Sequence, residues 1–431
     1  MTTTNNDARN CRVVIIGAGM AGILTAIKLR EAGYEDFTIY EKTDRVGGTW
    51  RENTYPGIAC DVPAHLYTYS FEPNPDWSST YAPGPEIHAY FERVAEKYDV
   101  IRSIRFNEEV PHCEFVGGRW QLRTSTGRED VADFLIAATG VLHHPHVADI
   151  PGLDTFAGAC FHSARWDHSI DLADKRIGVV GTGSTAIQIA SALTAKVGRF
   201  DLFQRTAQWI MPIDNSPYSD ADRAAFRNDP AKLAAVQQQV NDDFEIFSNA
   251  VINADSPEMK AVEDACLANL ETNVLDPVLR EKLRPNYRAG CKRLIFSADF
   301  YDAIQRPNAH VITTAIDHIE PAGVRLADGE LRELDVLVMA TGFRADSFIR
   351  PTTVIGRDGV NLDDVWADHP VAYLSISIPE IPNFFMLNGP NGPVGNFSLI
   401  QIAEYQVGYI LQLMDKIRAG ECRAISASRE A

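Results

Sequence analysis

Two segments of this 431-residue chain repeat one pattern. Val13-Val-Ile-Ile-Gly17-Ala-Gly19-Met-Ala-Gly22 runs into an apolar-periodic stretch ending near Arg30. Ile177-Gly-Val-Val-Gly181-Thr-Gly183-Ser-Thr-Ala186 runs into another ending near Leu193. Each predicts a buried strand, a glycine turn and a helix. The glycines meet three demands: a sharp turn, close backbone approach to a pyrophosphate, and tight packing of helix on strand. The helix N-terminus then offers unpaired N–H groups and the positive end of its dipole to the anion. A second strand follows each helix, over 37–40 and 199–203. At the same distance past the first glycine of each turn stands a polar residue, Glu41 or Arg205. Two further apolar strands, Phe134-Leu-Ile-Ala-Ala-Thr139-Gly140 and Val336-Leu-Val-Met-Ala-Thr341-Gly342, both stop at Ala-Thr-Gly. The chain therefore reads as α/β, with two Rossmann-like dinucleotide-binding domains.

The residues at the two strand ends separate the two ligands. Glu41 can accept hydrogen bonds from an adenosine ribose, which suits FAD or NAD, and with NADP placed at the second site the first is assigned to FAD. Arg205, backed by Thr206, can pair with a 2′-phosphate, which suits NADP. The second copy ends in Ala186 where the first has Gly22, a change the motif tolerates. Gly47-Gly48-Thr49-Trp50 follows Glu41 closely and lets backbone pass beside the flavin, with Thr49 and Trp50 able to touch it. Ser184, Thr185 and Gln188 on the second helix join the expected NADP contacts, and Tyr67 the flavin contacts.

The expected division has an FAD-binding domain over 1–145 and 341–431, and an NADP-binding domain over 146–213 and 286–340. Residues 214–285, rich in Ala, Asp, Glu, Asn and Gln, read as a helical insertion. Short strands are expected at 372–378 and 384–387. The segment 388–395 reads as a tight loop. Ser398-Leu-Ile-Gln401 resembles a capping box opening a helix to about Ile417, with Gly420 past its end.

Composition narrows the function classes. Lys and Arg number 40 against 58 Asp and Glu, a net charge of −18, which repels nucleic-acid backbones and anionic lipid. No apolar run is long enough to span a bilayer, and the polar start reads as no signal peptide. The seven scattered cysteines form no close pair, which argues for a cytoplasmic protein and against a redox dithiol or zinc site. No metal is expected, and the oligomeric state is left open.

Phe156-Ala-Gly158-Ala-Cys-Phe-His162-Ser-Ala-Arg-Trp166-Asp167 fits F-x-G-x-x-x-H-x-x-x-W followed by Pro or Asp and lies between the glycine turns. The pattern resembles the fingerprint of Baeyer–Villiger monooxygenases that use FAD and NADPH. The resemblance implies insertion of one oxygen atom of O2 beside a ketone carbonyl through a C4a-peroxyflavin, giving an ester or lactone. Tyr55-Pro-Gly-Ile-Ala-Cys-Asp61 resembles the family segment passing the flavin, with Asp61 near flavin and nicotinamide. Cys291-Lys292-Arg293 matches a Lys-Arg pair, which implies Lys292 on the 2′-phosphate and Arg293 in the active site. Asp61 and Arg293 are therefore the catalytic candidates: Arg293 as a charge that cannot deprotonate, Asp61 as its orienting partner. His162 reads as a residue coupling the domains, not as a base. The helix near Ser398 is expected to aim its N-terminus at the flavin. Family members usually continue for many tens of residues past the point matching Ala431. The competing readings are an N- or S-oxygenating flavin monooxygenase and a redox-inactive nucleotide sensor. A disulfide reductase lacks its cysteine pair.

Overall fold

The computed structural model describes residues 10–393 and 397–430. The two glycine units form two five-stranded parallel sheets that share the order of four strands; the fifth, beside the Ala-Thr-Gly strand, comes last in the chain in the first sheet and first in the second. The first sheet uses β1 (Val13–Ile16), β2 (Phe37–Glu41), β3 (Ile104–Phe106), β4 (Phe134–Ala137) and a late strand, β10 (Phe384–Met386). The second uses β5 (Ala159–His162), β6 (Arg176–Val180), β7 (Arg199–Phe203), β8 (Ala309–Ile312) and β9 (Val336–Met339). Their orders are β10-β4-β1-β2-β3 and β5-β9-β6-β7-β8. In each, the strand entering the glycine turn lies between the strand leading to Glu41 or Arg205 and the strand ending at Ala-Thr-Gly.

The central strands are apolar because helices cover both faces of a parallel sheet. All four residues of β1, β4 and β9 are buried. Helix α1 (Met20–Glu31) is buried nearly all round, and α3 (Ser184–Leu193) is its counterpart in the second unit. A short helix, α2 (Thr49–Glu52), follows the paired glycines.

The segment 214–285 forms helices α4 (Asp220–Asn228), α5 (Pro230–Ile252), α6 (Pro257–Asn273) and α7 (Pro277–Lys282). Their starts are written locally. Asp229, Ser256 and Asp276 cap the backbone N–H groups of helices whose first residue is Pro, and Ser219 makes a reciprocal capping box with Asp222.

Two local expectations need correction. Residues 372–378 are not a strand. Leu374 and Ser375 both adopt left-handed backbone, so the chain turns back there. The loop 373–377 instead bonds to the strand at its side, Met386 N–H to the Ile376 carbonyl. Helix α8 (Leu399–Arg418) has Ser398 at its N-cap, but no capping box forms. The Ser398 hydroxyl donates to the Leu66 carbonyl at 3.1 Å instead. Gly420 lies past the helix end in left-handed backbone, as expected. The last residues of the loop expected over 388–395 lie outside the described residues.

Candidate active site

Both glycine turns have the same physical construction. Gly17 and Gly181 have φ of +103° and +121°. A β-carbon on Gly17 would lie 2.6 Å from the Ala138 carbonyl oxygen, and one on Gly181 would lie 2.3 Å from that of Ala340. Each first glycine is thus pressed against the alanine of its own Ala-Thr-Gly, which is why the two motifs occur together. Gly22 sets the helix on the turn, since a side chain there would collide with the Gly17 carbonyl. Ala186 does the same duty, fully buried, in the second unit. The N-caps Gly19 and Gly183 provide no side-chain cap, so the first N–H groups of α1 and α3 have no side-chain acceptor. Gly19 and Gly48 abut, with a Gly48 β-carbon 3.1 Å from the Gly19 Cα.

A cavity of about 650 Å³ runs between the two units. Gly17, Gly19, Glu41, Gly48, Thr49, Trp50, Asp61 and Tyr67 line it from the first. Gly183, Ser184, Thr185, Gln188 and Arg293 line it from the second. Leu399, in the first turn of α8, also lines it. Glu41 is buried, and its carboxylate already accepts from the Ala18 N–H (2.8 Å), the Thr43 N–H (2.9 Å) and the Thr43 hydroxyl (2.7 Å). The strand-end carboxylate therefore anchors the glycine turn as well as facing the cavity.

Arg293 and Asp61 meet although they are distant in sequence. The Arg293 Nε and Nη2 donate to the two Asp61 carboxylate oxygens at 2.9 and 2.7 Å, a bidentate pair. The negative charge of Asp61 raises the Arg293 pKa, against the opposing effect of burial, so the guanidinium stays charged at every working pH. Nearby, the Trp50 indole donates to the Tyr67 hydroxyl at 3.1 Å with the rings edge-on. Burial pushes the Tyr67 phenol and the Cys60 thiol well above their ordinary values, so both stay neutral.

The loop 55–61 is clamped to α3. The Tyr55 hydroxyl donates to Gln188 Oε1 at 2.8 Å, and the Gln188 amide donates to the Ala59 carbonyl at 3.0 Å. Burial pushes the Tyr55 phenol up to about 12. Tyr55 and Ile58 are buried in the same cluster as Trp166 of the F-x-G motif. His162 accepts from the Ala164 N–H through Nδ1, so its Nε2 carries the proton given to the Gly342 carbonyl at 3.0 Å. Burial lowers its pKa, and it holds the second Ala-Thr-Gly in place. Arg165 reaches Glu52 of α2 at 3.6 Å, and Thr54 contacts His168 at 2.8 Å. The motif thus ties the second unit to the cavity loop of the first.

Arg205 and Thr206 lie at the end of β7 on a separate cavity. Lys292 is not among its lining residues. Its ammonium sits 4.8 Å over the Tyr287 ring. Sequence reasoning missed Gly57, whose β-carbon would lie 2.5 Å from the Gln188 carbonyl. The signal was present in Tyr-Pro-Gly, a turn placed between two expected cofactor segments. It also missed the Glu52–Arg165 pair, for which no local pattern exists.

No described helix is long and apolar enough to cross a membrane. The model of the flavin-binding monooxygenase-like family matches residues 10–219. The chain is 48% identical over 409 residues to an uncharacterized monooxygenase of Mycobacterium tuberculosis, covering 95% of this chain and 82% of that one. It is 39% identical over 408 residues to a Baeyer–Villiger monooxygenase of Streptomyces coelicolor, covering 94% and 78%. The structure of cyclohexanone monooxygenase from a Rhodococcus species bound to NADP+ superposes with a TM-score of 0.86 at 31% identity, covering 98% and 87%. These likenesses run through both sheets and the cavity between them, and the chain belongs to the Baeyer–Villiger family of flavin-binding monooxygenases.

Proposed function

We propose that the protein is an FAD- and NADPH-dependent monooxygenase that inserts one oxygen atom of O2 beside the carbonyl of a small-molecule ketone, giving an ester or lactone. The residues present fit both cofactors. The first glycine turn, Glu41, Gly48, Thr49, Trp50 and Tyr67 would hold FAD. Gly181, Gly183, Ser184, Thr185, Gln188, Arg205 and Thr206 would hold NADPH. The close-packed glycines form cradles that a β-carbon would fill, and each uncapped helix start offers N–H donors to a pyrophosphate. The domain division that follows is 1–145 with 341–431 for FAD, 146–213 with 286–340 for NADP, and 214–285 as the insertion. Bound FAD, reduced by NADPH, supplies the activation of O2 that no side chain provides.

The chain's own residues supply orientation, charge and exclusion of water. Arg293 presents a fixed positive charge where negative charge develops on the carbonyl oxygen of the ketone. Because a guanidinium keeps its proton, it cannot quench activated oxygen by donating one. Asp61 positions that guanidinium through two parallel hydrogen bonds. Trp50 and Tyr67 form a neutral wall that limits water. The N-terminus of α8 directs its dipole toward the cavity, where it favours an anionic ligand edge. NADPH dependence and the scattered cysteines support a cytoplasmic setting.

The observation that carries this reading is the bidentate Asp61–Arg293 pair, open to a cavity shared by both glycine turns. The test supplies NADPH, 18O2 and a panel of ketones, amines and sulfides, and seeks a labelled ester by mass spectrometry. Arg293→Ala is expected to abolish the ester while NADPH still reduces the flavin. Ester formation that survives in Arg293→Ala refutes the assigned role. Labelled amine or sulfide oxides in place of esters refute the substrate class.

A further inference from the structure

The chain passes between the two five-stranded sheets twice, once from β4 to β5 and once from β9 to β10. The two passages are joined where they run side by side. The His146 N–H donates to the Gly342 carbonyl at 2.8 Å and the Arg344 N–H to the His144 carbonyl at 2.9 Å, with Pro145 and Phe343 bridged antiparallel. The Thr341 hydroxyl donates to the His146 carbonyl. Beyond these backbone contacts, side chains make the link. His143 donates through Nε2 to the Phe348 carbonyl at 2.7 Å, and His144 through Nε2 to the Arg350 carbonyl at 2.8 Å. A carbonyl can only accept, so both rings carry a proton on Nε2. The Thr139 hydroxyl also donates to the Phe348 carbonyl, at 3.2 Å. Phe348 has a φ of +49°, a left-handed conformation that a bulky side chain resists. Two donors from the first passage thus hold a residue of the second in backbone it would otherwise leave.

The two imidazoles lie side by side, with ring centroids 4.1 Å apart. Burial, and after it the neighbouring His144, push the His143 imidazole down to about 4, so it is neutral near neutral pH. Lys42, Glu108, Glu109 and Arg350 line the same cavity as the pair, and Arg344 and Asp346 lie on the returning passage. Glu108 is taken by Arg128 and Arg350 by Asp363, and no carboxylate bonds either ring among the described residues. A proton added to His143 would meet His144 and Lys42 with no anion to balance it.

We propose that His143 and His144 are positioning residues that staple the two passages together and so fix the angle at which the second unit presents NADPH to the flavin. This rests on the reading of the two units as FAD and NADPH sites. Transfer between two bound reactants depends steeply on their alignment, so a brace of this kind acts on the rate of flavin reduction and not on NADPH affinity.

Hydrogen exchange followed by mass spectrometry reads the staple without turnover. FAD-loaded protein is labelled at about pH 7.5 and about pH 5, and protection of the peptides holding the His146 and Arg344 amides is taken relative to unstructured peptides at the same pH. Closure is at full strength above the ordinary imidazole value of 6.5 and is lost as pH falls toward the lowered value of the closed strap. Wild-type protection is therefore expected to fall about tenfold or more between the two conditions. His143→Ala is expected to lose about tenfold already at the higher pH, and to slow flavin reduction at saturating NADPH while NADPH affinity stays within about twofold. His143→Gln restores an N–H donor that does not titrate, so it is expected to keep wild-type protection in both conditions. Wild-type protection in His143→Ala, or an acid loss that persists in His143→Gln, overturns the staple. Lowered protection with an unchanged reduction rate overturns the positioning role. A wild-type flavin that NADPH does not reduce overturns the NADPH reading and the positioning role with it, and is told apart from failure of the staple by the exchange result.

Discussion

Replacing Gly57 by alanine tests whether the cavity loop truly rests on α3. Gly57 has a φ of +85°, and its β-carbon would lie 2.5 Å from the Gln188 carbonyl oxygen and 2.9 Å from the Ala192 β-carbon. Left-handed backbone costs an alanine about 1–2 kcal/mol. Forcing a methyl into a packed contact costs about 1–3 kcal/mol more. Together the variant should lose about 2–5 kcal/mol. In a chain of 431 residues that corresponds to a fall of roughly 2–6 °C in the temperature of flavin release. The damage should not stay local. The displaced loop carries Tyr55, which bonds Gln188, and Asp61, which orients Arg293. NADPH-driven flavin reduction should therefore slow as well. Flavin fluorescence during heating reads the first effect, and stopped-flow absorbance the second. A variant that releases flavin within about 1 °C of wild type and is reduced at the same rate would refute the close approach.

Gly183→Ala makes the opposite prediction. Its β-carbon meets nothing within 4 Å and its φ is −71°, so the fold should be untouched. The methyl would stand where a pyrophosphate approaches the helix, so calorimetric NADPH affinity should fall about tenfold with no change in flavin-release temperature. Arg12→Ala should cost about 3 kcal/mol in urea unfolding, because it strands Asp130, a largely buried carboxylate that Arg12 grips with two hydrogen bonds. Asp335 is held at about 2, below its ordinary 3.8, by hydrogen bonds from Arg176. A depressed folded-state value adds stability above the unfolded pKa and loses it as pH falls through the folded one. Asp335→Asn should therefore be less stable at neutral pH and show a flatter decline between about pH 4 and 2 in acid titration followed by circular dichroism.

The parts of the fold legible in sequence are those fixed by short-range backbone sterics. Gly17, Gly181 and the two Ala-Thr-Gly strand ends are mutually required, so their repetition identified both sheets and their central strands. Asp61 and Arg293 were legible only through a family pattern, since nothing local brings them together. Where the reading failed, a tertiary partner overrode a local preference. Ser398 has the chemistry of a cap, but the Leu66 carbonyl takes its hydroxyl. The run at 372–378 has a strand's composition, yet two left-handed residues fold it into a turn with Tyr373 and Leu374 exposed at its tip.

The late arrival of β10 shapes how the molecule can be made. All strands of the second sheet precede it in the chain, yet it is the edge that covers β4 in the first. During synthesis the second sheet can close while the first still shows the open side of an entirely apolar strand. Such an edge is a ready template for pairing with other chains. The first sheet also depends on contacts of very long sequence separation, which slows its completion. A chain cut off before Phe384 would thus hold one finished nucleotide-binding unit tethered to a sticky, unfinished one. For this protein the yield of usable enzyme is set by how long that edge waits.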